Sequence, residues 1–175
     1  TQVFGVTAGY SAVRNFTIAK GEFVSPAHVL NMKSVAVLGS EVATDLFGTR
    51  DPIGVSIAID GLRFTVIGVL ESKGANALGN EDNRILVPIT TAFFRLSGTR
   101  TNRGEITVST IIVQADGDRV DEAMTEATVL LRLRHEITEE DDFTVANQQS
   151  VIDTISDATR TLTVFLGAVA GISLV

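Results

Sequence analysis

The residues of this chain that could do chemistry are few, and their spacing does not bring them together. Cysteine is absent, which removes disulfides, thiolate nucleophiles and cysteine-ligated zinc at once. Two histidines are present. His28 stands in a proline-marked turn and His135 closes a helix, where a cation suits the macrodipole. A histidine metal site needs both rings and a carboxylate in one place, and the ordinary roles account for these two better. Asp116-Gly117-Asp118 with Asp121 has the outline of a calcium loop. Such a loop needs glycine at its sixth position and glutamate at its twelfth, and Asp121 and Ala127 stand there instead. A turn followed by a helix cap, with Asp118 as the capping residue, explains the run. Glu139-Glu140-Asp141-Asp142 reads as a solvated charge run. Between Gly48 and Gly54 lies Asp51-Pro52 and no lysine, so no phosphate cradle forms there, and no Gly-x-Ser-x-Gly elbow occurs. The sequence therefore points to no catalytic, cofactor-binding or metal-ligating residue and to no cofactor.

Charge excludes a further class. Lys and Arg number 14 against 21 Asp and Glu, a net charge of −7. With no basic cluster to meet phosphates, nucleic acid is not an expected partner. At 175 residues the chain is long enough to bury a core of its own.

The elements are organised around Val35 to Gly74. Val35–Leu38 is a short apolar strand closed by Gly39-Ser40, with Ser40 expected to cap the helix that follows. Val42, Ala43, Leu46 and Phe47 share one face of that helix, and Gly48 supplies a left-handed stop. Val55, Ile57 and Ile59 then alternate along a strand. Asp60-Gly61 is a strong hairpin signal, because a type I′ turn needs two positive φ angles. The return strand, Leu62 to Leu70, alternates at first and becomes apolar throughout.

The rest is read outward from this unit. Val3–Thr7 is a strand fragment, Ala8–Asn15 two helical turns, and Ser25-Pro26 a helix start with proline in its first position. Ser72–Arg84 and Ser97–Gly104 are polar loops suited to touching a partner. Ile85-Leu86-Val87-Pro88 is a strand that its proline ends or confines to an edge. Glu105–Gln114 alternates as Ile106, Val108, Thr110, Ile112, a strand with one buried face. A helix from Val120 carries Ala123, Met124, Ala127 and Leu131 on one stripe, acids in its first turn and bases in its last. Phe143-Thr144-Val145 is a short strand. Strands, hairpins and helices mixed in this way indicate an α+β fold.

The C-terminal stretch departs from this pattern. Ser150-Val151-Ile152-Asp153 resembles a capping box, and the helix it starts is amphipathic before becoming apolar all round. Leu162–Val175 carries no charge, and a membrane span needs ~20 apolar residues. The run reads as the first part of such a span. TQVFGVTAGY at the N-terminus does not have the pattern of a signal peptide.

Together these pieces resemble the extracytoplasmic core domain of MacB/FtsX-type ABC transporter permeases. The resemblance is carried by the strand ending Val37-Leu38-Gly39, the helix ending Leu46-Phe47-Gly48, then Asp51-Pro52-Ile53-Gly54, the hairpin, and Val66-Ile67-Gly68-Val69-Leu70. Gly21-Glu22-Phe23, Ile85-Leu86-Val87-Pro88, Leu131–His135 with Asp141-Asp142-Phe143, and Thr163–Val175 extend it along the chain. It implies a two-lobed body: a split porter-like β-α-β lobe from residues 1–34 and 104–150, an inserted smaller Sabre-like α/β lobe from 35–103, and a helix at 151–175 entering a transmembrane span. It implies a domain outside the cytoplasmic membrane that does not itself hydrolyse ATP. Its partners would be an ABC ATPase domain or subunit, a second permease copy, the membrane through the C-terminal helix, and an extracytoplasmic protein. The implied activity is coupling cytosolic ATP hydrolysis to movement outside the membrane, for export of a drug, peptide or lipoprotein. The alternative is a freestanding, membrane-anchored extracytoplasmic module that binds a ligand or partner.

Overall fold

A computed structural model describes residues 1–76, 79–96, 107–147, 156 and 158–166. The chain packs as two units, Thr1–Val113 and Gln114–Val175.

The first unit opens with strand β1 (Gln2–Val6), helix α1 (Tyr10–Val13), strand β2 (Ile18–Gly21) and helix α2 (Pro26–Leu30). Pro26 sits in the first turn of α2 as expected, and Ser25 caps it reciprocally with His28. Strand β3 (Val35–Leu38), helix α3 (Ser40–Phe47), and strands β4 (Ser56–Ile59) and β5 (Leu62–Leu70) follow in the order the sequence indicates. Asp60 and Gly61 take positive φ angles of 48° and 79°, as a type I′ hairpin requires. Strands β6 (Ala75–Asn76), β7 (Gly79–Asn80) and β8 (Arg84–Pro88) and helix α4 (Ile89–Arg95) complete the unit's regular elements.

The sheet is six-stranded and mixed, in the order β1-β8-β3-β5-β2, with β4 pairing the first half of β5. Alternation along its strands divides the core between its two faces. Ala36, Leu38, Phe64, Val66, Ile85 and Val87 lie in one buried cluster, against Val42 and Ala43 of α3. Val37, Leu70 and Leu86 lie in the other, with Phe16 and Val24. Along β5 the phase changes: Val66 and Val69 share a cluster although they are three apart. The register against β3 slips at the same place, where Ala36 faces Val66 but Val37 faces Gly68. An extra residue in one strand turns the following side chains over, which is why β5 alternates at first and then reads as uniformly apolar.

Several expectations are corrected. Ser40 does not cap α3; Gly39 occupies the N-cap position and makes no side-chain cap bond. Leu46 is half exposed rather than packed with Val42 and Ala43. Pro88 ends β8, but β8 is flanked by β1 and β3 and wholly buried, so it is not an edge strand. Proline is tolerated there as the last strand residue, where it begins α4. Among the described residues of Glu105–Gln114, Thr107–Gln114 forms no ladder, because alternation does not make a strand without a partner edge. Strands from residues 1–34 and from residues 35–103 share this sheet, since β2 pairs with β5 and β1 with β8.

The second unit is built on helix α5 (Val120–Arg134). Ala123, Met124, Ala127 and Leu131 are half-buried on one stripe, and Asp121, Glu122, Arg132 and Arg134 complement the dipole at its two ends. Arg119, not Asp118, holds the N-cap position, without a side-chain bond. Phe143-Thr144-Val145 is not a strand; Phe143 instead meets His135 edge-on at 6.0 Å. Residues 158–166 are helical, with Leu162, Val164, Phe165 and Leu166 exposed. Among the described residues no helix is long and apolar enough to cross a membrane. The expected cap at Ser150–Asp153, the run from 167 to 175 and the whole loop Ser97–Gly104 lie outside the described residues.

Candidate functional site

Where β8 begins, the chain buries charge. Glu81, Asp82 and Arg84 are each at least nine-tenths buried, in a stretch that reads from sequence as a solvated loop. The cause lies in the elements around it. Strand β3 ends at Leu38, and α3 starts beside the chain entering β8. The Gly39 amide donates to the Arg84 carbonyl at 2.8 Å, and the Glu41 amide to the Asp82 carbonyl at 3.2 Å. The first turn of α3 is thus satisfied by a neighbouring backbone rather than by its own serine. A Cβ on Gly39 would lie 2.2 Å from the Asp82 oxygen, so only glycine admits this approach.

The Asp82 carboxylate gathers the opposite end of the loop. It accepts from the Ser72 hydroxyl, from the Lys73 amide at 2.8 Å and from the Gly74 amide at 2.9 Å, and Ser40 contributes its side chain. Burial, the largest single influence on this group, favours its neutral form, but the four hydrogen bonds to the charged form outweigh it and hold the pKa below the ordinary aspartate value. The Asp82 amide in turn donates to the Asn80 side chain at 2.9 Å. Glu41, on α3, accepts from the side-chain amides of Asn80 and Asn83.

Glu81 faces the other way, into cations. Arg14 forms an ion pair with it, Lys73 lies 3.6 Å away and Arg84 3.9 Å away. The Lys73 ammonium also donates to the Arg14 carbonyl at 2.6 Å and sits 4.3 Å above the Phe16 ring. The Arg84 guanidinium lies over Phe4 and Phe16, at 5.3 and 5.7 Å. One carboxylate therefore joins α1, the end of β5 and the start of β8.

This constellation holds shape. An acid catalyst needs a raised carboxyl pKa and an accessible proton, whereas Asp82 is held as an anion with its oxygens occupied. Glu81 shares its charge among three cations and offers no free face. What the cluster does is tie both ends of the 72–84 loop, with its β6–β7 hairpin, to the sheet and to α3. The loop proposed from sequence as a contact surface is anchored at its base. Sequence reasoning missed this cluster, having assigned every acidic residue a turn, cap or surface role. The available signal was Glu81-Asp82-Asn83-Arg84 running directly into an apolar strand.

The other residues weighed from sequence stay apart. His28 belongs to the first unit and lies 3.9 Å from Glu22. His135 belongs to the second and pairs with Asp142 at 2.9 Å. Asp116 meets Arg119 at 3.7 Å across the turn at Gly117. Half of the acidic run is not simply solvated: Asp141 pairs with Arg132 at 3.0 Å and Asp142 with His135, clamping the chain onto the end of α5. Among the described residues, no three histidine, aspartate or glutamate side chains come together as metal ligands.

A mixed sheet with helices on its faces and a buried ionic staple at one loop defines a scaffold-type α+β body. Solved structures share that fold. The periplasmic region of MacB from Actinobacillus actinomycetemcomitans aligns with a TM-score of 0.68 at 20% identity, over 88% of this chain and 64% of that one. The extracellular domain of the noncanonic ABC-type transporter YknZ from Gram-positive bacteria aligns at 0.60 and 22% identity, over 78% and 66%. The chain belongs to the MacB-like periplasmic core domain family, which matches residues 1–130. A macrolide export ATP-binding/permease protein MacB from Azoarcus sp. is 40% identical over 94% of this chain and 24% of its own length. The corresponding Rhodospirillum rubrum protein is 38% identical over 99% and 26%. A pyoverdine export ATP-binding/permease protein PvdT from Pseudomonas syringae pv. tomato is 34% identical over 98% and 26%. The chain thus spans about a quarter of the length of the curated relatives it matches.

Proposed function

We propose that this chain is the extracytoplasmic body of an ABC transporter permease, passing on movement driven by ATP hydrolysis in the cytosol so that a substrate is exported. The observation that carries the reading is the match along almost the whole chain to export ATP-binding/permease proteins, 40% identical in the first case. Hydrolysis would belong to a separate nucleotide-binding domain or subunit, and a second permease copy would complete the machine. The cargo would be a drug, peptide or lipoprotein. The body would lie on the periplasmic side of the cell membrane, held there by the helix at 151–175. A two-lobed working arrangement belongs to the same proposal, with a split lobe from residues 1–34 and 104–150 and an inserted lobe from residues 35–103.

Two features support mechanical transmission. The first unit is a sheet buried on both faces, and a close-packed interior transmits strain. The contact loop is stapled at its base by Glu81 and Asp82, so its tip would move with the sheet. The test is made in the full-length transporter. Two glycines inserted after Arg160, within the helical stretch 158–166, should leave ATP hydrolysis running and stop export. Export continuing at the unmodified rate refutes the coupling role.

A further inference from the structure

We propose that Arg14, Asn83 and Arg84 form a binding site for a phosphate group that carries one proton. The inference goes beyond the transport reading and does not depend on it. It starts from polar atoms without partners. Among the described residues, the buried side-chain nitrogen and oxygen atoms that lack a hydrogen-bond partner are Arg14 Nε, Asn83 Oδ1 and Arg84 Nε. Buried polar groups are normally satisfied, and each exception costs folding free energy. All three of these fall in one corner of the first unit.

The three atoms converge. The Nη2 arms of Arg14 and Arg84 both face the same oxygen of Glu81, Oε1. In each arginine this leaves the Nε–H, on the same edge of the guanidinium, without an acceptor. Phe4 and Phe16 cover the Arg84 guanidinium at 5.3 and 5.7 Å, so its edge rather than its flat face is what a ligand meets. Asn83 Nδ2 donates to Glu41 Oε1 at 3.0 Å. That bond fixes the orientation of the amide and makes Oδ1 the end left over. Arg14, Asn83 and Arg84 line one groove, together with Phe4 and Tyr10. The Arg14 side chain keeps 24% of its surface exposed, and the way in is past it.

Two N–H donors and one acceptor specify the ligand. Guanidinium edges select oxyanions such as phosphate and carboxylate. A carboxamide oxygen can only accept, so Asn83 Oδ1 requires a hydroxyl, which a carboxylate or a sulfate ion does not carry. A monoprotonated phosphate has both: charged oxygens for the two Nε–H groups and a P–OH for Asn83. The charges agree. Arg14, Lys73 and Arg84 surround the single carboxylate of Glu81, while Asp82 and Glu41 are met by donors of their own. Free phosphate and a phosphate monoester present the same group to this corner.

The test uses the full chain at about pH 6, where the monoprotonated form of a phosphate is well populated. Inorganic phosphate, glycerol 3-phosphate and sulfate are titrated at matched ionic strength, and the arginine Nε–H resonances are followed by NMR. Those of Arg14 and Arg84 should shift and saturate with phosphate at a concentration about tenfold or more below that needed for sulfate, because a site built around a hydroxyl rejects a ligand without one. Glycerol 3-phosphate separates the sources: binding tighter than inorganic phosphate identifies a monoester as the ligand, and weaker binding identifies the free ion. Arg14→Lys keeps a cation for Glu81 and removes the Nε–H. It should weaken phosphate binding about tenfold or more, the worth of one charge-assisted hydrogen bond, with the urea midpoint close to that of the native chain. The sulfate comparison needs no substitution, so it decides the matter even if Arg14→Lys does not fold. An equal response to sulfate, no saturation below about 10 mM phosphate, or undiminished phosphate affinity in a folded Arg14→Lys each overturns the site and leaves the three atoms to ordered water.

Discussion

Asp82→Asn tests the reasoning about the buried cluster most directly. The substitution keeps size and shape and replaces one carboxylate oxygen by an NH2 group. In the native chain Oδ1 accepts from the Lys73 amide, while Oδ2 accepts from the Gly74 amide at 2.9 Å and from the Ser72 hydroxyl. The Ser72 hydroxyl can turn to accept, but a backbone amide cannot. One orientation of the asparagine therefore sets its NH2 against the Gly74 donor, and the other sets it against Lys73. Hydrogen bonds to a charged group are worth ~1.5–3 kcal/mol, and an unmet buried donor costs ~1–3 kcal/mol. Gly74 is only half-buried, so water offsets part of the loss, and the net destabilisation at neutral pH should be about 2–3 kcal/mol. For a chain of this size that corresponds to a Tm lower by about 4–12 °C.

The same substitution has a pH signature. Because the folded-state pKa of Asp82 lies below its ordinary value of 3.8, its stabilisation is fully present above that value. It is lost as pH falls through the lowered folded-state pKa. Urea unfolding of the native chain and of Asp82→Asn, at neutral pH and at steps downward from pH 4, should show two stability curves that converge only at the acid end. A difference under ~0.5 kcal/mol at neutral pH, the range of an ordinary surface substitution, refutes the account of the cluster. So does a difference that stays constant as the pH falls.

Other outcomes follow from the same geometry and are read by the same unfolding measurement. Glu81→Ala leaves Arg14, Lys73 and Arg84 without their shared carboxylate. Because the Arg14 and Lys73 side chains remain 24% and 30% exposed, the cost should be about 2 kcal/mol, below the ~3–5 kcal/mol of a fully buried broken pair. The double change Glu81→Leu with Arg14→Met should cost less than Glu81→Ala alone. Gly39→Ala places a methyl 2.2 Å from the Asp82 oxygen and should cost about 3 kcal/mol or prevent folding. Gly48→Ala, at φ 60° and ψ −118° with open space around it, should cost about 1–3 kcal/mol through backbone strain alone. Phe64→Ala, which removes a fully buried ring, should cost about 3–5 kcal/mol.

Much of the first unit was legible because its signals are local. The helix start at Pro26, the positive φ turn at Asp60-Gly61, the stop at Gly48 and the alternation of Ile57 and Ile59 depend on residues a few positions apart. The fold class follows from their sum. The ionic cluster was not legible because it joins residues far apart in the chain: Arg14 and Glu81 meet across 67 positions and Asn83 and Glu41 across 42. A charged residue before a strand looks the same whether it is solvated or enclosed. Ser40 illustrates the point in miniature. It was an apt cap by residue type, yet the Asp82 carbonyl arrived first, and the serine turned to the Asp82 carboxylate.

Residue order alone thus determined the mixed α+β class, the unit from Val35 to Gly74 and the absence of a recognisable catalytic motif, because each rests on short-range periodicity and turn chemistry. Tertiary structure decided which strands became neighbours. It placed Pro88 at the end of a buried strand and left Thr107–Gln114 without a ladder. It also decided that Glu81 and Asp82 are enclosed. The physical reason is that strand pairing and charge burial depend on what another part of the chain brings alongside, and nothing in the local run of residues specifies that.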